Sequence, residues 1–212
     1  MENPVIIFGA NYLGRAAKEI FESNSIVVYG FLDDEKKLHN TELDEVVVLG
    51  SMDDDGFLKL IGKKCEAFVA VDDNKLRKSV VEMLQEVRHV QPVNAIHSGA
   101  RVSSKAELGH GNFIDSGATV APGAKIGSHG IFHANSFVGV GATIGDFAQV
   151  GAGSLINPAV TIEDEVFIGS GVTIISGITI GKGARIGAGS VVIGPVKSGE
   201  TVFGNPAASI KN

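Results

Sequence analysis

The stretch FHANSFVGVGATIGD, residues 132–146, decides the fold of the second half of the chain. Within it Phe132, Val138 and Ile144 are apolar residues that recur at every sixth position. This period is neither the 3.6 of a helix nor the two of a strand. Glycine follows Val138 and Ile144, whereas His133 follows Phe132. The pattern therefore indicates short strands joined by tight corners, one of which carries a histidine.

The same spacing continues well beyond this stretch. Counting in sixes from Ile96 to Val192 gives seventeen positions, and all of them are apolar. A short strand that buries one apolar residue and then turns forms one side of a prism, and three sides close a coil of 18 residues. Adjacent coils then pair as parallel strands roughly 4.8 Å apart, so residues 18 positions apart stack in columns. The seventeen repeats predict between five and six coils.

The first ninety residues follow a different pattern, in which buried strands alternate with amphipathic helices. Strands are predicted at 4–9, in a segment that ends on Asp33 and Asp34, and at 45–50 and 65–73; helices are predicted after the first strand, near 53–62 and at 74–87. This alternation is typical of a small parallel sheet with crossover helices. We therefore expect two domains, residues 1–92 and 93–212.

The turn GANYLG, residues 9–14, has the outer spacing of a dinucleotide fingerprint but lacks its middle glycine. Gly9 and Gly14 stand five apart, and backbone amides at the start of the following helix can hold a pyrophosphate. Asp33 lies 19 residues past Gly14, where an acidic side chain can bind a ribose hydroxyl or a base edge. The alternatives are a plain strand-to-helix turn and a solvated carboxylate that caps its loop.

Composition and charge narrow the classes of function. A formal net charge of −6 argues against a broad nucleic-acid surface. No stretch reaches the roughly 18 apolar residues of a membrane span, and the start lacks the pattern of a signal peptide, so we expect a cytoplasmic protein. The single cysteine, Cys65, indicates a core thiol. His110, His129 and His133 raise the alternative of bound zinc, but they would have to converge from different sides, so we expect no metal.

Both halves together resemble the hexapeptide-repeat sugar acetyltransferases of the sialic-acid O-acetyltransferase and UDP-amino-sugar N-acetyltransferase type. The segments that carry the resemblance are IIFGANYLG at 6–14, YGFLDD at 29–34, VDDNKLR at 71–77, AIHSGARVS at 95–103 and VFGNPAASI at 202–210. The resemblance implies an α/β Rossmann-like domain that binds a nucleotide sugar, followed by an all-β, left-handed parallel β-helix. It also implies acetyl-CoA as acyl donor and a homotrimer.

The resemblance further implies two binding regions. The N-terminal turn and the aspartate-ended strand bind the sugar nucleotide in this family, which selects Gly9, Ala10, Asn11, Gly14, Asp33 and Asp34. Coenzyme A lies between neighbouring prisms near the C-terminal coils, where the closing turn Gly204, Asn205, Pro206 and Ala207 lines the pantetheine channel. Lys182, Arg185 and Lys197 supply positive charge close to this turn, suited to the coenzyme phosphates.

The sequence departs from the family at the catalytic base, which is usually a histidine followed by an acidic residue. Aligning the IGD-like step on 144–146 places that pair at Val140 and Gly141, neither of which can move a proton. An amine or hydroxyl that attacks a thioester must lose a proton, and an imidazole is well matched to take it. Two hypotheses follow: a substitute base elsewhere, or a binding or scaffold protein that keeps the fold without the chemistry.

The columns supply one candidate for a substitute base. His97, Asp115 and His133 are each 18 residues apart and each directly follow an anchor. We hypothesise that His133 is the base and that Asp115 is its carboxylate partner. The alternative is a solvated ladder of polar corner residues. On the first hypothesis the sugar nitrogen or oxygen attacks the thioester of acetyl-CoA directly, since no nucleophilic cysteine or serine motif is present.

Overall fold

The computed structural model describes residues 3–210, and they form two compact units that divide between Ser98 and Gly99. The sequence-based division between residues 92 and 93 stays a prediction. Within the described residues, no helix has the length and apolar character needed to cross a membrane.

The first unit is a five-stranded sheet with helices. Its strands are β1 Val5–Phe8, β2 Val28–Leu32, β3 Glu42–Leu43, β4 Val46–Gly50 and β5 Glu66–Val69; its helices are α1 Tyr12–Ser23, α2 Asp55–Leu58 and α3 Asn74–Arg88, with a 3-10 turn at Lys36–Leu38 and a short strand β6 at Ala95–Ile96. The sheet has the order β3-β4-β2-β1-β5. All neighbours are parallel except β3, which pairs antiparallel with β4. The predicted α/β class is confirmed.

The helices form where the sequence offers both an N-cap and an apolar face. Asn11 caps α1, and the helix buries Leu13, Ala17, Ile20 and Phe21, which share one side. Phe21 packs edge-on against Phe68 of β5, with ring centroids 5.6 Å apart. The second helix is much shorter than the predicted 53–62, because only one turn follows the Asp54 cap before the chain leaves the helix at Lys59.

The second unit is a left-handed parallel β-helix built from two-residue strands. They are β7 Arg101–Val102, β8 Glu107–Leu108, β9 Phe113–Ile114, β10 Thr119–Val120, β11 Lys125–Ile126, β12 Ile131–Phe132, β13 Phe137–Val138, β14 Thr143–Ile144, β15 Gln149–Val150, β16 Leu155–Ile156, β17 Thr161–Ile162, β18 Phe167–Ile168, β19 Thr173–Ile174, β20 Thr179–Ile180, β21 Arg185–Ile186 and β22 Val191–Val192, then the longer β23 Thr201–Gly204 and β24 Ala207–Ser209. Phe132 pairs with Ile114 on one side and Val150 on the other, as the 18-residue period predicts.

Three sheets form the sides of the prism. The first contains β7, β10, β13, β16, β19 and β22, the second β8, β11, β14, β17 and β20, and the third runs from β9 through β12, β15, β18 and β21 to β23 and β24. The anchors point inward; Ile114, Phe132 and Val150 are at most 1% exposed. This interior column of large side chains is the core of the unit.

The glycine that follows many anchors has a steric cause. A Cβ added to Gly145 would lie 2.7 Å from the backbone nitrogen of Asp164, which belongs to the next coil. At Gly127 it would lie 2.9 Å from the backbone nitrogen of Asp146. The next coil passes so close at these corners that a side chain does not fit.

Side chains also join the coils at the corner that follows the second sheet. The carboxylate of Asp146 accepts the amide N–H of Ser128 at 2.7 Å, and Asp164 accepts that of Asp146 at 3.0 Å. The aspartate of the IGD step is therefore a structural acceptor. Near the same corner, the side chain of Asn112 is fully buried and bonds to Gly127 and Gly130 of the next coil.

Candidate active site

At the carboxyl edge of the first unit's sheet, the strand order predicts a binding crevice between β1 and β5. From β1 the chain crosses to β2 on one side, whereas β5 lies on the other side of β1, so the strand order reverses here. In open α/β sheets, ligands bind outside the carboxyl ends of the strands at such a point. The turn at residues 9–14 and the loop at 70–74 form the two walls of this crevice.

Both outer glycines of the turn are required by packing alone. Gly9 has φ +108°, and a Cβ on it would lie 2.5 Å from the carbonyl oxygen of Ala70. A Cβ on Gly14 would lie 2.0 Å from the carbonyl oxygen of Gly9. The fingerprint-like spacing therefore has a structural explanation that needs no nucleotide.

Several amides of the turn already have partners within the chain. The Asn11 side-chain oxygen accepts the amides of Leu13 and Gly14 at 2.8 and 3.1 Å, and Asp33 accepts the amide of Ala10 at 2.8 Å. In the part of the chain that the structure describes, no hydrogen bond is recorded for the amides of Asn11 and Tyr12. These two amides are the ones that can receive a phosphate.

The two aspartates at the end of β2 have different surroundings. Both oxygens of Asp33 have backbone partners, because one accepts the amide of Ala10 in the turn and the other accepts the amide of Glu35 at 2.9 Å. Asp34 is exposed and accepts the amide of Met52 at 3.0 Å. Asp34 also lines a cavity of about 470 Å³ with Lys36, Met52, Asp53, Val80 and Met83. A cavity of this size with apolar walls and a few polar groups suits a small ligand.

The opposite wall of the crevice depends on a residue that sequence reasoning did not single out. Arg77 is 1% exposed and donates to the carbonyl oxygens of Val71 and Asp72 at 2.7 and 3.0 Å, and also to the side chain of Asn74. Burial lowers the pKa of Arg77 to about 10, which leaves it charged at neutral pH. The guanidinium therefore fixes the loop that carries Asp72.

In the β-helix, His133 and Asp115 occupy the same corner of successive coils, after β12 and β9. The imidazole of His133 is half-buried and lies edge-on to Phe113, with centroids 6.4 Å apart. The Asp115 carboxylate accepts the amide of Ser116 at 2.7 Å. Within residues 3–210, no hydrogen bond joins Asp115 to His133. The two side chains are neighbours in register but are not a bonded pair.

The positions aligned with the family's catalytic pair lie at a different corner. Val140 is 54% exposed in the turn between β13 and β14, and Gly141 beside it has φ +66°. A Cβ on Gly141 would meet no atom within 4 Å. His133 precedes β13 and Val140 follows it, so these two positions are on separate edges of the prism. Among the described residues, no group of three histidine, cysteine or acidic side chains is placed to hold a metal ion.

The C-terminal coils hold the basic residues in defined contacts. The Nζ of Lys182 lies 3.7 Å from a carboxylate oxygen of Asp164 and 3.5 Å from one of Glu165. The guanidinium carbon of Arg185 lies 4.5 Å from the ring centroid of Phe167. The amide of Lys197 is bound by Glu200 at 2.9 Å.

The closing turn connects β23 and β24. Its Asn205–Pro206 peptide is cis, and the amide of Gly204 donates to the Ser190 hydroxyl at 3.1 Å. The predicted residues Gly204, Asn205, Pro206 and Ala207 thus form one compact turn beside the last coil.

Comparison with known proteins shows which family has this combination of units. Residues 4–84 match the family described as the PglD N-terminal domain, and residues 141–176 and 159–194 match the bacterial transferase hexapeptide family. PerB from Caulobacter crescentus, solved in complex with CoA and GDP-perosamine, is 25% identical and superposes with a TM-score of 0.90 over 100% of this chain and 99% of its own. The chain combines the two domains of the hexapeptide-repeat sugar acetyltransferases. The resemblance found from the sequence is confirmed.

Other solved structures agree with this assignment. WeeI from Acinetobacter baumannii is 26% identical, with a TM-score of 0.87 over 98% of this chain and 99% of its own. The acetyltransferase domain of PglB from Neisseria gonorrhoeae is 24% identical and shares the fold, with a TM-score of 0.90 over 99% and 100%. No curated protein sequence matches the chain significantly.

Within this hexapeptide-repeat acetyltransferase, sequence reasoning missed Tyr12, Asp72 and Arg77. A signal was present for two of them, since VDDNKLR was recognised as a family segment and Asp72 directly follows the predicted strand's buried residues. Tyr12 stood out only as a bulky residue in a turn rich in glycine. The burial of Arg77 has no sequence signal, because arginine in a helix is normally solvated.

Proposed function

We propose that the protein transfers the acetyl group of acetyl-CoA to an amino or hydroxyl group of a nucleotide-linked sugar. The observation that carries this proposal is the match to PerB, which spans both units of the chain and whose structure contains CoA and GDP-perosamine together. A scaffold that had lost its activity would have no need to keep both a nucleotide domain and a coenzyme turn.

The first unit binds the nucleotide sugar in this proposal. The diphosphate lies against the free amides of Asn11 and Tyr12, in the turn that Gly9, Ala10 and Gly14 shape. Asp34 and the cavity beside it receive the nucleoside, whereas Asp33 holds the turn in place through the Ala10 amide. The division of labour follows from which polar groups already have partners within the chain.

The β-helix binds acetyl-CoA, and copies of the chain associate as a homotrimer. Large apolar residues are exposed near the first sheet: Leu155 lies on β16, Ile175 and Ile193 directly follow β19 and β22, and Val140 lies in the turn after β13, each 40–57% exposed. Exposed apolar side chains of this kind are suited to burial against another copy. The coenzyme phosphates lie near Lys182 and Arg185, and the pantetheine follows the turn from Gly204 to Ala207.

In the reaction, the sugar nitrogen or oxygen attacks the thioester carbonyl carbon. A bond forms from carbon to the sugar atom, the carbon–sulfur bond breaks, and the sulfur leaves as coenzyme A thiolate. We propose His133 as the group that takes the proton of the nucleophile, with Asp115 stabilising the imidazolium after a side-chain rotation towards it. Positioning of the two substrates supplies much of the remaining acceleration.

A cytoplasmic location is part of the same proposal, because acetyl-CoA and sugar nucleotides are substrates of cytoplasmic metabolism. The chain then acts on a sugar before that sugar is transferred to a glycan.

Thiol release from acetyl-CoA by the purified protein tests this function. The acceptors are GDP-, UDP- and dTDP-linked amino sugars, the matched neutral sugar nucleotides, and free sialic acid. We expect release with one nucleotide-linked acceptor and none without acceptor. Binding of both substrates without any release would instead support the scaffold hypothesis that the residues at 140 and 141 raised.

A further inference from the structure

Tyr12 and Asp72 face each other across the crevice between β1 and β5. Tyr12 is the first residue of α1, in the turn after β1, and Asp72 lies in the loop after β5. The Tyr12 hydroxyl donates a hydrogen bond to the Asp72 carboxylate. A side-chain pair therefore spans the point at which an open α/β sheet is expected to bind its ligand.

Most of the Tyr12 surface remains available to a ligand. The residue is 62% exposed, so its ring is free to contact a bound ligand. Partial burial and the Asp72 carboxylate raise the pKa of Tyr12 to about 12. The phenol is therefore protonated at neutral pH, and its proton points to Asp72.

The two walls of the crevice are held in place from behind. Arg77 binds the carbonyl oxygens of Val71 and Asp72, as described above, and it is itself 1% exposed. The Asn11 side chain donates to the carbonyl oxygen of Ala70 at 3.1 Å, which ties the turn to the same loop. Both partners of the pair thus sit on backbone segments that are fixed to each other, and this makes the pair a preorganised contact.

We propose that Tyr12, oriented by Asp72, is a specificity-determining residue that contacts the sugar of the nucleotide sugar. This inference rests on the proposed function. A phenol that donates its only proton to a carboxylate meets a ligand as an acceptor, so it favours a hydroxyl or amine on the sugar. Its exposed ring offers a flat apolar face to the C–H side of a pyranose.

The charge of Asp72 favours a contact of Tyr12 with the sugar over a contact with the diphosphate. The negative charge of Asp72 repels phosphate at the hydroxyl end of Tyr12. The backbone amide of Tyr12, at the other end of the residue, is one of the two amides left for an anion. A diphosphate on that amide places the attached sugar along the ring and towards the phenol oxygen.

The chain provides a matched control for this test. It contains no tryptophan and only two tyrosines, Tyr12 and Tyr29. Tyr29 lies on β2 and is 47% exposed, far along the strand from the carboxyl edge. In the Tyr29→Phe variant, tyrosine fluorescence and tyrosinate absorbance report on Tyr12 alone.

Three ligands are titrated into each variant by calorimetry and, in the Tyr29→Phe background, by tyrosine fluorescence. They are the nucleotide sugar that the wild type acetylates, its free nucleoside diphosphate, and acetyl-CoA. We expect Tyr12→Phe to raise the Kd of the nucleotide sugar about 3- to 10-fold, and Tyr12→Ala to raise it about 10- to 100-fold. The Kd values of the free nucleoside diphosphate and of acetyl-CoA change less than about 2-fold in these variants. Tyr29→Phe leaves all three Kd values unchanged.

Two further readouts separate a binding contact from a merely structural one. Tyr12→Phe raises KM for the nucleotide sugar and leaves kcat nearly unchanged, because the contact is made equally in the ground state. Asp72→Asn weakens binding by about as much as Tyr12→Phe, and the double variant loses little more than either alone, because the two residues act as a unit. Asp72→Asn in the Tyr29→Phe background also lowers the pKa seen by tyrosinate absorbance.

The outcomes distinguish this inference from the proposed function. If Tyr12→Ala binds the nucleotide sugar as tightly as Tyr29→Phe does, Tyr12 makes no contact and the inference is wrong while the function stands. If Tyr12→Ala lowers the affinity for the free diphosphate and for the nucleotide sugar by the same factor, the contact is not with the sugar, and the inference is again wrong. A wild type that binds no nucleotide sugar overturns both.

Discussion

Ser128 donates its backbone N–H to the carboxylate of Asp146, which stands 18 residues later in the next coil, at 2.7 Å. The same relation links Asp146 to Asp164 at 3.0 Å. A side chain from each coil thus satisfies a corner amide of the coil before it. This arrangement does for the β-helix what an N-cap does for an α-helix.

Removing the Asp146 acceptor should destabilise the protein without affecting its chemistry. We expect Asp146→Ala to lower the free energy of unfolding by about 0.5–2 kcal/mol, because the Ser128 amide loses its partner. Asp146→Asn keeps an acceptor oxygen at the same place and is the control, with a loss below about 0.5 kcal/mol. Urea unfolding measures both. Equal losses would mean that charge, and not the hydrogen bond, stabilises the corner.

Substitutions at Gly145 and Gly141 should differ in how much they lower the free energy of unfolding, for steric reasons. In Gly145→Ala the new Cβ would lie 2.7 Å from the Asp164 nitrogen, so the coils must separate, at a cost of about 1–3 kcal/mol. Gly141→Asn has open space and a residue type that tolerates positive φ, and we expect it to cost less than about 1 kcal/mol. Thermal unfolding of the two variants checks the order. The reverse order would contradict the close approach of coils after the anchors.

Arg77 should contribute to stability through the three acceptors that it binds from a buried position. We expect Arg77→Met to lower the free energy of unfolding by about 2–4 kcal/mol, since two carbonyl groups and the Asn74 side chain lose a buried donor. Lys75→Met on the exposed face of the same helix is the matched control and should change it by less than about 0.5 kcal/mol. An equal effect of both substitutions would assign the loss to the helix rather than to the loop.

His133 should be required for turnover but not for binding of the coenzyme. We expect His133→Ala to lower kcat by about two to four orders of magnitude and to leave the Kd of acetyl-CoA within about 2-fold. The control is His110→Ala, an exposed histidine at another corner. Thiol release and calorimetry measure the two quantities. Wild-type rates from His133→Ala would remove this residue from the mechanism.

A second variant asks whether the missing family base limits the rate. In Val140→His the imidazole enters an exposed turn that has room for it. If His133 takes the proton, this variant should turn over within about 3-fold of the wild type, since position 140 lies at a different edge of the prism from the base. An increase of about 100-fold or more would show that the proton has no efficient acceptor in the natural chain.

The β-helix was predictable because each anchor contributes the same physical signal at the same spacing. Phe132, Val138 and Ile144 are buried for one reason, and the reason repeats. The strand β3 was not predicted and the helix α2 was predicted too long, since neither element buries enough apolar surface to mark its bounds in the sequence. Asp33 was predicted to bind substrate from its position after β2, whereas the structure shows that its two oxygens already accept the backbone amides of Ala10 and Glu35.

The candidate site depends on contacts between residues far apart in the sequence, and this limited its prediction. Tyr12 and Asp72 lie 60 positions apart. They meet because β1 and β5 are neighbours in the sheet, and that adjacency follows from the strand order rather than from any local motif. In the β-helix, the 18-residue period predicts which distant residues are neighbours, whereas no sequence period predicts the neighbours in the open sheet.

The reversal of the chain after residue 204 has a consequence for solubility. A stack of parallel coils that simply stopped would expose unpaired strand edges, onto which another stack could add indefinitely. Here β24 turns back antiparallel on β23, and Val196 bridges to Ile180 at the end of a second sheet. This reversal therefore covers the strand edge that β23 would otherwise present to another stack, and it opposes end-to-end polymerisation along the third sheet.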